Sequence, residues 1–371
     1  MPKAGMTKDA IYGRRLEILR KRLDKEGLRG AIIVPGPNMT YFTGVNSLLL
    51  ERPFMLLVPT EGEPHLVSPA FESGPYAEGP VGMKIHAWTD SEGSAGAISK
   101  AAKGAGLKGK WGVEGRAPFL YLDRLMEEAS PRFRNAEPIL QGMREVKDEA
   151  EVKLLKKSAS ILSSAFEEFP GIIRQGLTEL EVAKAATDTI YAKGATHVDD
   201  MLVQSGPRAA DPHGLPTSKK IQGGEGIIID VGATYEGYYS DVTRVYCVGE
   251  NKELEKVYEK VLEANTAGIA KAASGVRVGE VDVAARGTLK RAGLGKYFTH
   301  RTGHGLGLEI HEAPYIVEGG KERLESGMCF TVEPGAYIRG KLGVRIEDDV
   351  LIEGKKGVAI TNTPKDFGWW K

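Results

Sequence analysis

The chain has 371 residues, of which 41 % are hydrophobic and 27 % charged, a balance that fits two or three globular domains with a sizeable core. Its 50 basic and 50 acidic residues give a formal net charge of zero, and no basic run is interleaved with aromatics, which argues against nucleic-acid or anionic-membrane partners. Two cysteines, Cys247 and Cys329, make no disulfide framework, so a reducing, cytoplasmic setting is expected. Residues 1–5 lead into a charged helical stretch without an apolar signal core, and no apolar run approaches the roughly 20 residues of a membrane span.

Residues 9–27 carry Ile11, Leu16, Ile18, Leu19 and Leu23 near helical spacing, which predicts an amphipathic helix. The apolar run 30–34, stopped by Pro35-Gly36-Pro37, predicts a buried strand ending in a turn. Residues 53–59 and 64–68 flank Thr60-Glu61-Gly62-Glu63 as a hairpin, and a strand at 111–114 precedes a helix over 119–129. Residues 1–140 thus form an α/β domain of their own, and composition turns charged and helical beyond it, from about Arg144.

The second domain, 141–371, contains an internal repeat. Residues 176–183 resemble residues 275–284, about 100 positions later. Each copy follows a long helix (149–168 and 252–273), opens another, and is followed by a hairpin with two acids. The first hairpin carries Asp230 and Asp241 around a turn at Tyr235-Glu236-Gly237, and the second carries Glu333 and Glu347 around Gly340-Lys341. A pseudo-twofold α+β unit with its site between two curved sheets is expected.

A single acid such as Asp230, after three isoleucines, reads most simply as a strand-end cap or a buried ion-pair member. Four acids at matching hairpin positions need protons or metal cations to coexist, and cations are the simpler answer for all four. His304 stands between Gly303 and Gly305, where missing side chains let other backbone approach closely. His311, seven residues on, would face the other side of an extended strand, so it need not be a ligand. His213 sits on a loop bracketed by Pro212 and Pro216, while His65, His86, His197 and His300 read as structural.

The segments around Asp230, Asp241, Gly303-His304-Gly305, Glu333-Pro334-Gly335 and Arg345-Ile346-Glu347-Asp348 resemble the pita-bread metallopeptidases: prolidase, aminopeptidase P, methionine aminopeptidase and the metal-free creatinase. Asn38-Met39-Thr40-Tyr41-Phe42-Thr43-Gly44 resembles the creatinase-type N-terminal domain, so the likeness spans nearly the whole chain. It implies two divalent ions, Mn or Co before Zn, held by Asp230, Asp241, His304, Glu333 and Glu347. By resemblance Asp241 and Glu347 bridge the ions, and Glu333 also serves as general base. His213 and His311 steady the scissile carbonyl and the tetrahedral intermediate. Tyr337 and Arg345 match positions on the substrate side, although Arg345 also reads plainly as the ion-pair partner of Glu347. Thr243 is expected to hydrogen-bond Asp241.

The implied reaction is hydrolysis of the amide before proline in a short peptide, by an Xaa-Pro dipeptidase or an aminopeptidase P. The implied assembly is a homodimer, with a wall at residues 38–46 closing the partner's cleft. Tyr315 stands where many prolidase-like relatives carry arginine, which leaves strict dipeptide specificity open. Glu347 followed by Asp348-Asp349 disfavours methionine aminopeptidase, and the full ligand set disfavours creatinase. The alternatives are non-peptide chemistry at the same metal site, such as a lyase on a sulfonium substrate, and a non-catalytic pita-bread binding module.

Overall fold

The computed structural model describes residues 8–199 and 201–368; the leading residues 1–5 lie outside them. The chain divides into two compact units, Met1–Arg144 and Glu145–Lys371. Among the described residues no helix is long and apolar enough to cross a membrane.

In the first unit, helix Lys8–Lys25 precedes a six-stranded mixed sheet. Its strand order is Lys84–Trp88, His65–Pro69, Met55–Pro59, Gly30–Ile33, Lys110–Val113 and Arg132–Asn135. The predicted hairpin is present, with Met55 opposite Val67. Three neighbouring pairs are parallel and need crossovers. Helices Ala95–Gly104 and Phe119–Ala129 connect strands here and pack Ile98, Ala101, Tyr121 and Leu125 on Ile32, Leu57, Val67 and Trp111.

The segment expected to form a wall is different. Residues Pro37–Thr43 are a helix, entered at a proline, with Asn38, Met39, Tyr41, Phe42 and Thr43 buried. Glu114 accepts from Val34 N at 2.9 Å and Asn38 Nδ2 at 2.8 Å, which pins the turn before this helix. Apolar side chains at 39, 41 and 42 go into the unit's own core. Within residues 38–46 the exposed positions are Gly44 and Asn46.

In the second unit both repeats take the predicted order. Helices Glu149–Phe166 and Glu179–Ala192 start at capping boxes, Asp148 with Glu151 and Thr178 with Glu181. Helices Lys252–Lys271 and Val278–Arg291 are their counterparts. The first hairpin runs without interruption from Gly226–Tyr235 to Tyr238–Cys247. Its turn residues Glu236 and Gly237 both have positive φ, 48° and 84°, as a two-residue primed turn requires.

The second hairpin is not continuous as expected. Cys329–Val332 pairs with Asp348–Glu353 in a five-stranded sheet, whereas Gly335–Ile338 pairs with Leu342–Arg345 in a separate two-stranded ladder. Pro334 has no N–H to donate, and the ladder stops at Glu333-Pro334 on one strand and at Ile346-Glu347 on the other. Ile228, Val245, Tyr258, Val344 and Ile346 share a core cluster that joins the first hairpin to the second.

Candidate metal centre and cleft

Strand alternation sends Asp241 and Thr243 to the same face, and Thr243 lies directly opposite Asp230. Thr243 also bridges to Glu347, whose N–H donates to the Thr243 carbonyl at 3.2 Å. Glu333 N donates to the Thr302 carbonyl at 2.8 Å, which brings its carboxylate to the segment carrying His304. A side chain at position 303 would collide with the Thr331 carbonyl oxygen, and one at 305 with the Ala313 carbonyl oxygen. Both glycines are therefore needed for the close packing that seats His304.

Asp241, His304 and Glu347 each offer one ligand atom, and these atoms lie within 4.8 Å of one another. The His304 Nε2 atom is 3.4 Å from Glu333 and 3.8 Å from Asp241. His304 Nδ1 faces the Gly305 carbonyl at 3.1 Å, and a carbonyl only accepts, so Nδ1 carries the proton. The Nε2 lone pair then points at carboxylate oxygens. Burial, with His311 adding to it, pushes the His304 pKa down to about 3, so the ring stays neutral. Burial pushes Asp241 and Glu347 well above the ordinary carboxylate range, and neighbouring acids push the same way. Glu333 rises to about 7 through burial, against the opposing charge of Arg345. Neutral imidazole nitrogen facing mutually repelling carboxylates is a donor set that hard to borderline divalent cations satisfy, and the residues present fit such ions.

Asp230 shares this cleft but is held by an ion pair with Arg345. Of the two roles open to Arg345, substrate side or ion-pair partner of Glu347, the ion pair with Glu347 is not formed; its guanidinium reaches Asp230, Tyr337 Oη at 2.7 Å and the Pro212 carbonyl at 3.2 Å. It sits at the end of Leu342–Arg345 in the short two-stranded ladder, and the Thr243 hydroxyl lies between its Nε and Glu347. Thr243 likewise donates to Glu347, at 2.5 Å, and not to Asp241. Asp241 receives a different support: its backbone N–H points at Asp349, which also accepts from Ser240 Oγ at 2.5 Å.

The cleft has a volume of about 700 Å³ and is lined by all five candidate ligands together with His213, His311 and Arg345. His213 and His311 are exposed within it. His311 does not lie in an extended strand; residues 307–311 bend, and its ring meets that of His304 edge-on with centroids 4.2 Å apart. Tyr337 reaches the cleft indirectly, through Arg345 and His300.

Sequence reasoning passed over His300, Arg301 and Asp199, which also line the cleft. The Tyr337 hydroxyl accepts from Arg345 and pairs with His300 Nε2 at 2.8 Å, while His300 Nδ1 donates to the Arg301 carbonyl at 2.7 Å. Burial first, and then Arg345, lowers the His300 pKa to about 4, so it acts as a neutral link in this chain. Its position four residues before His304 was the available signal.

Four acids gathered around a neutral imidazole in an open cleft, with histidines at its rim, define the site of a metal-using hydrolase. The chain belongs to metallopeptidase family M24, whose model matches residues 153–354, and the creatinase/prolidase N-terminal domain matches residues 15–146. It therefore has a creatinase-type domain followed by a pita-bread catalytic domain. It is 38 % identical to a recombinant prolidase from Thermococcus sibiricus, with a TM-score of 0.92 over 98 % of this chain and 99 % of that one. A probable dipeptidase PepE from Mycobacterium bovis is 34 % identical over 96 % of both chains. An X-Pro aminopeptidase from Thermotoga maritima is 31 % identical, with a TM-score of 0.84 over 95 % of this chain and 98 % of that one.

Proposed function

We propose that the chain is a dinuclear-metal peptidase that cleaves the bond before proline in short peptides, as an Xaa-Pro dipeptidase in preference to an aminopeptidase. The observation that carries this reading is the His304 Nε2 lone pair aimed at the Glu333 and Asp241 carboxylates, with Glu347 beside them. Dipeptidase and prolidase relatives matched over nearly their whole length support the substrate class.

In this reading Asp230, Asp241, His304, Glu333 and Glu347 hold two divalent ions, which when bound polarise the scissile carbonyl and lower the pKa of a water. Glu333 takes the proton from that water and passes it to the leaving nitrogen. His213 and His311, both exposed in the cleft, donate to the carbonyl oxygen as it gains charge. Arg345 and Tyr337 position Asp230 and the His213 loop, through the Asp230 carboxylate and the Pro212 carbonyl. Thr243 orients Glu347. A symmetric homodimer and a cytoplasmic setting complete the proposal. Cys247 and Cys329 are both buried and form no disulfide, in keeping with a reducing compartment.

Metal-stripped protein given Mn(II), Co(II) or Zn(II), and assayed on Xaa-Pro dipeptides against longer Xaa-Pro peptides, tests the activity. Cleavage of dipeptides above longer peptides is expected, with about two ions per chain by elemental analysis. No proline-peptide cleavage with any of the three metals, or less than one ion per chain, would overturn it. Light scattering that shows a monomer at assay concentration would overturn the dimer.

A further inference from the structure

Besides the four acids assigned to metal, the cleft lining carries one more carboxylate, that of Asp199. Its backbone N–H donates to the Gly232 carbonyl at 2.9 Å, which continues the pairing of Val198 with Ala233. Gly232 in turn lies directly opposite Asp241. Asp199, Gly232 and Asp241 therefore form a row across the sheet, and residues abreast in a row face the same side. Two strand spacings, about 9–10 Å, separate the Asp199 backbone from that of Asp241.

The Asp199 carboxylate is supported at one oxygen. Its Oδ1 accepts from the Tyr239 hydroxyl at 3.3 Å and from His197 Nε2 at 3.1 Å. Burial first, and then Asp199, pushes the Tyr239 pKa up to about 12, so the hydroxyl stays a donor. Among the described residues no hydrogen bond reaches Oδ2, and no lysine or arginine lies within ion-pair distance of it. This oxygen stands over Gly232, where an added Cβ would collide with the Ile310 side chain and come within 3.2 Å of Oδ2. Ile310 and Leu202, which pairs with Asp230 on the next strand, line the same part of the cleft.

An apolar wall that ends on an unsupported carboxylate oxygen matches a side chain with an apolar stem and a cationic head. The α-ammonium of a substrate fits less well, because it stays about 2.5 Å from the carbonyl carbon of its own residue and so remains beside the metal-binding acids. Only a long side chain spans the row from Asp241 to Asp199. We propose that Asp199 receives the cation of a lysine or arginine on the residue before the cleaved bond, with Leu202 and Ile310 against its stem. The inference rests on the peptidase reading above and deepens it by naming the residue that precedes proline. Asp199 is a substrate-binding residue in this proposal, and Tyr239 positions it.

The test compares lysyl-proline with norleucyl-proline, which keeps the stem and lacks the cation, and lysyl-alanine with norleucyl-alanine. All four are assayed on metal-loaded wild type and on Asp199→Asn, whose amide oxygen can still accept from Tyr239 and His197. The wild type should favour the lysyl peptide of a pair by about 10-fold in kcat/KM, between the effects of an exposed and a desolvated charge pair. That preference should shrink as salt is raised. Asp199→Asn should lose most of it through a raised KM for the lysyl peptide, with under about threefold loss on the norleucyl peptide and full metal content. Tyr239→Phe should shift the lysyl peptide in the same direction by a smaller factor. An equal loss on both peptides of a pair, a lysyl preference that survives in Asp199→Asn, or a wild type that does not favour lysine overturns the proposal. A wild type that cleaves the alanine pair and not the proline pair overturns the proline reading alone, and the alanine pair then decides Asp199. A wild type inactive on all four peptides overturns both.

Discussion

The two acidic hairpins of the catalytic unit are equivalent in sequence and unlike in structure. The first keeps ten consecutive residue pairs, from Tyr238 opposite Tyr235 to Cys247 opposite Gly226. The second is broken at Pro334 and at Ile346-Glu347 into two ladders in different sheets. The break frees backbone groups at the two acids to pair elsewhere: Glu333 with Thr302, Glu347 with Thr243. An intact second ladder would have used those groups internally. The first hairpin thus acts as a rigid platform, and the second as the joint that draws the His304 segment and the first hairpin to one point. Repetition of a motif supplies the same side chains twice, and only the broken copy can also tie the two halves together.

The largest effects are expected where the hairpins are equal, at their acids. Asp241→Asn on the continuous hairpin and Glu347→Gln on the broken one should each lose at least one metal and about 10³-fold or more in kcat/KM, beyond the 10–100-fold typical of residues that merely support a ligand. Elemental analysis beside the assay checks this, and full metal content in either variant would end the equivalence. His213→Ala and His311→Ala belong to neither hairpin. Each should retain metal and lose about 10²-fold in kcat, as for other donors to a developing oxyanion. Stoichiometric loss of metal from a folded variant would make that histidine a ligand.

Thr243→Val strikes the joint between the hairpins, since its hydroxyl donates to Glu347 at 2.5 Å and accepts from Arg345 Nε at 3.2 Å. A loss of about 10-fold in metal affinity is expected, within the range for groups that orient a ligand. Titration with Mn(II) followed by calorimetry measures it, and an unchanged affinity would show that the joint does not steady the site. The smallest effect belongs to the platform. Glu236 holds φ at 48°, a conformation that asparagine adopts more readily, so Glu236→Asn should stabilise the chain by under about 1 kcal/mol and leave activity untouched. Thermal unfolding would record it, and a change in kcat would mean that the turn is no passive support.

Much of this was legible in residues alone. The helix pairs, the N-terminal hairpin and the primed turn at Glu236-Gly237 follow from local periodicity and turn chemistry, which act over a few residues. Four of the candidate ligands stood out because acids in matching strands need an explanation, His304 by its flanking glycines, and the structure brings all five to one cleft. The helix at Pro37–Thr43 was missed because Pro35-Gly36-Pro37, which reads as a turn, runs into its first residue and masked an apolar stretch that packs into the core.

What the sequence by itself determined is which side chains face the site and which elements carry them, since alternation along a strand is a local property. What only the tertiary structure decided is who meets whom. Arg345 pairs with Asp230, Thr243 donates to Glu347, His300 joins Tyr337, and Arg301 stacks on Tyr315. Except for the last, these partners lie from 37 to 115 positions apart in the chain. No local pattern encodes such pairings; they arise when packing sets distant strands side by side and each polar group takes the nearest partner that satisfies it.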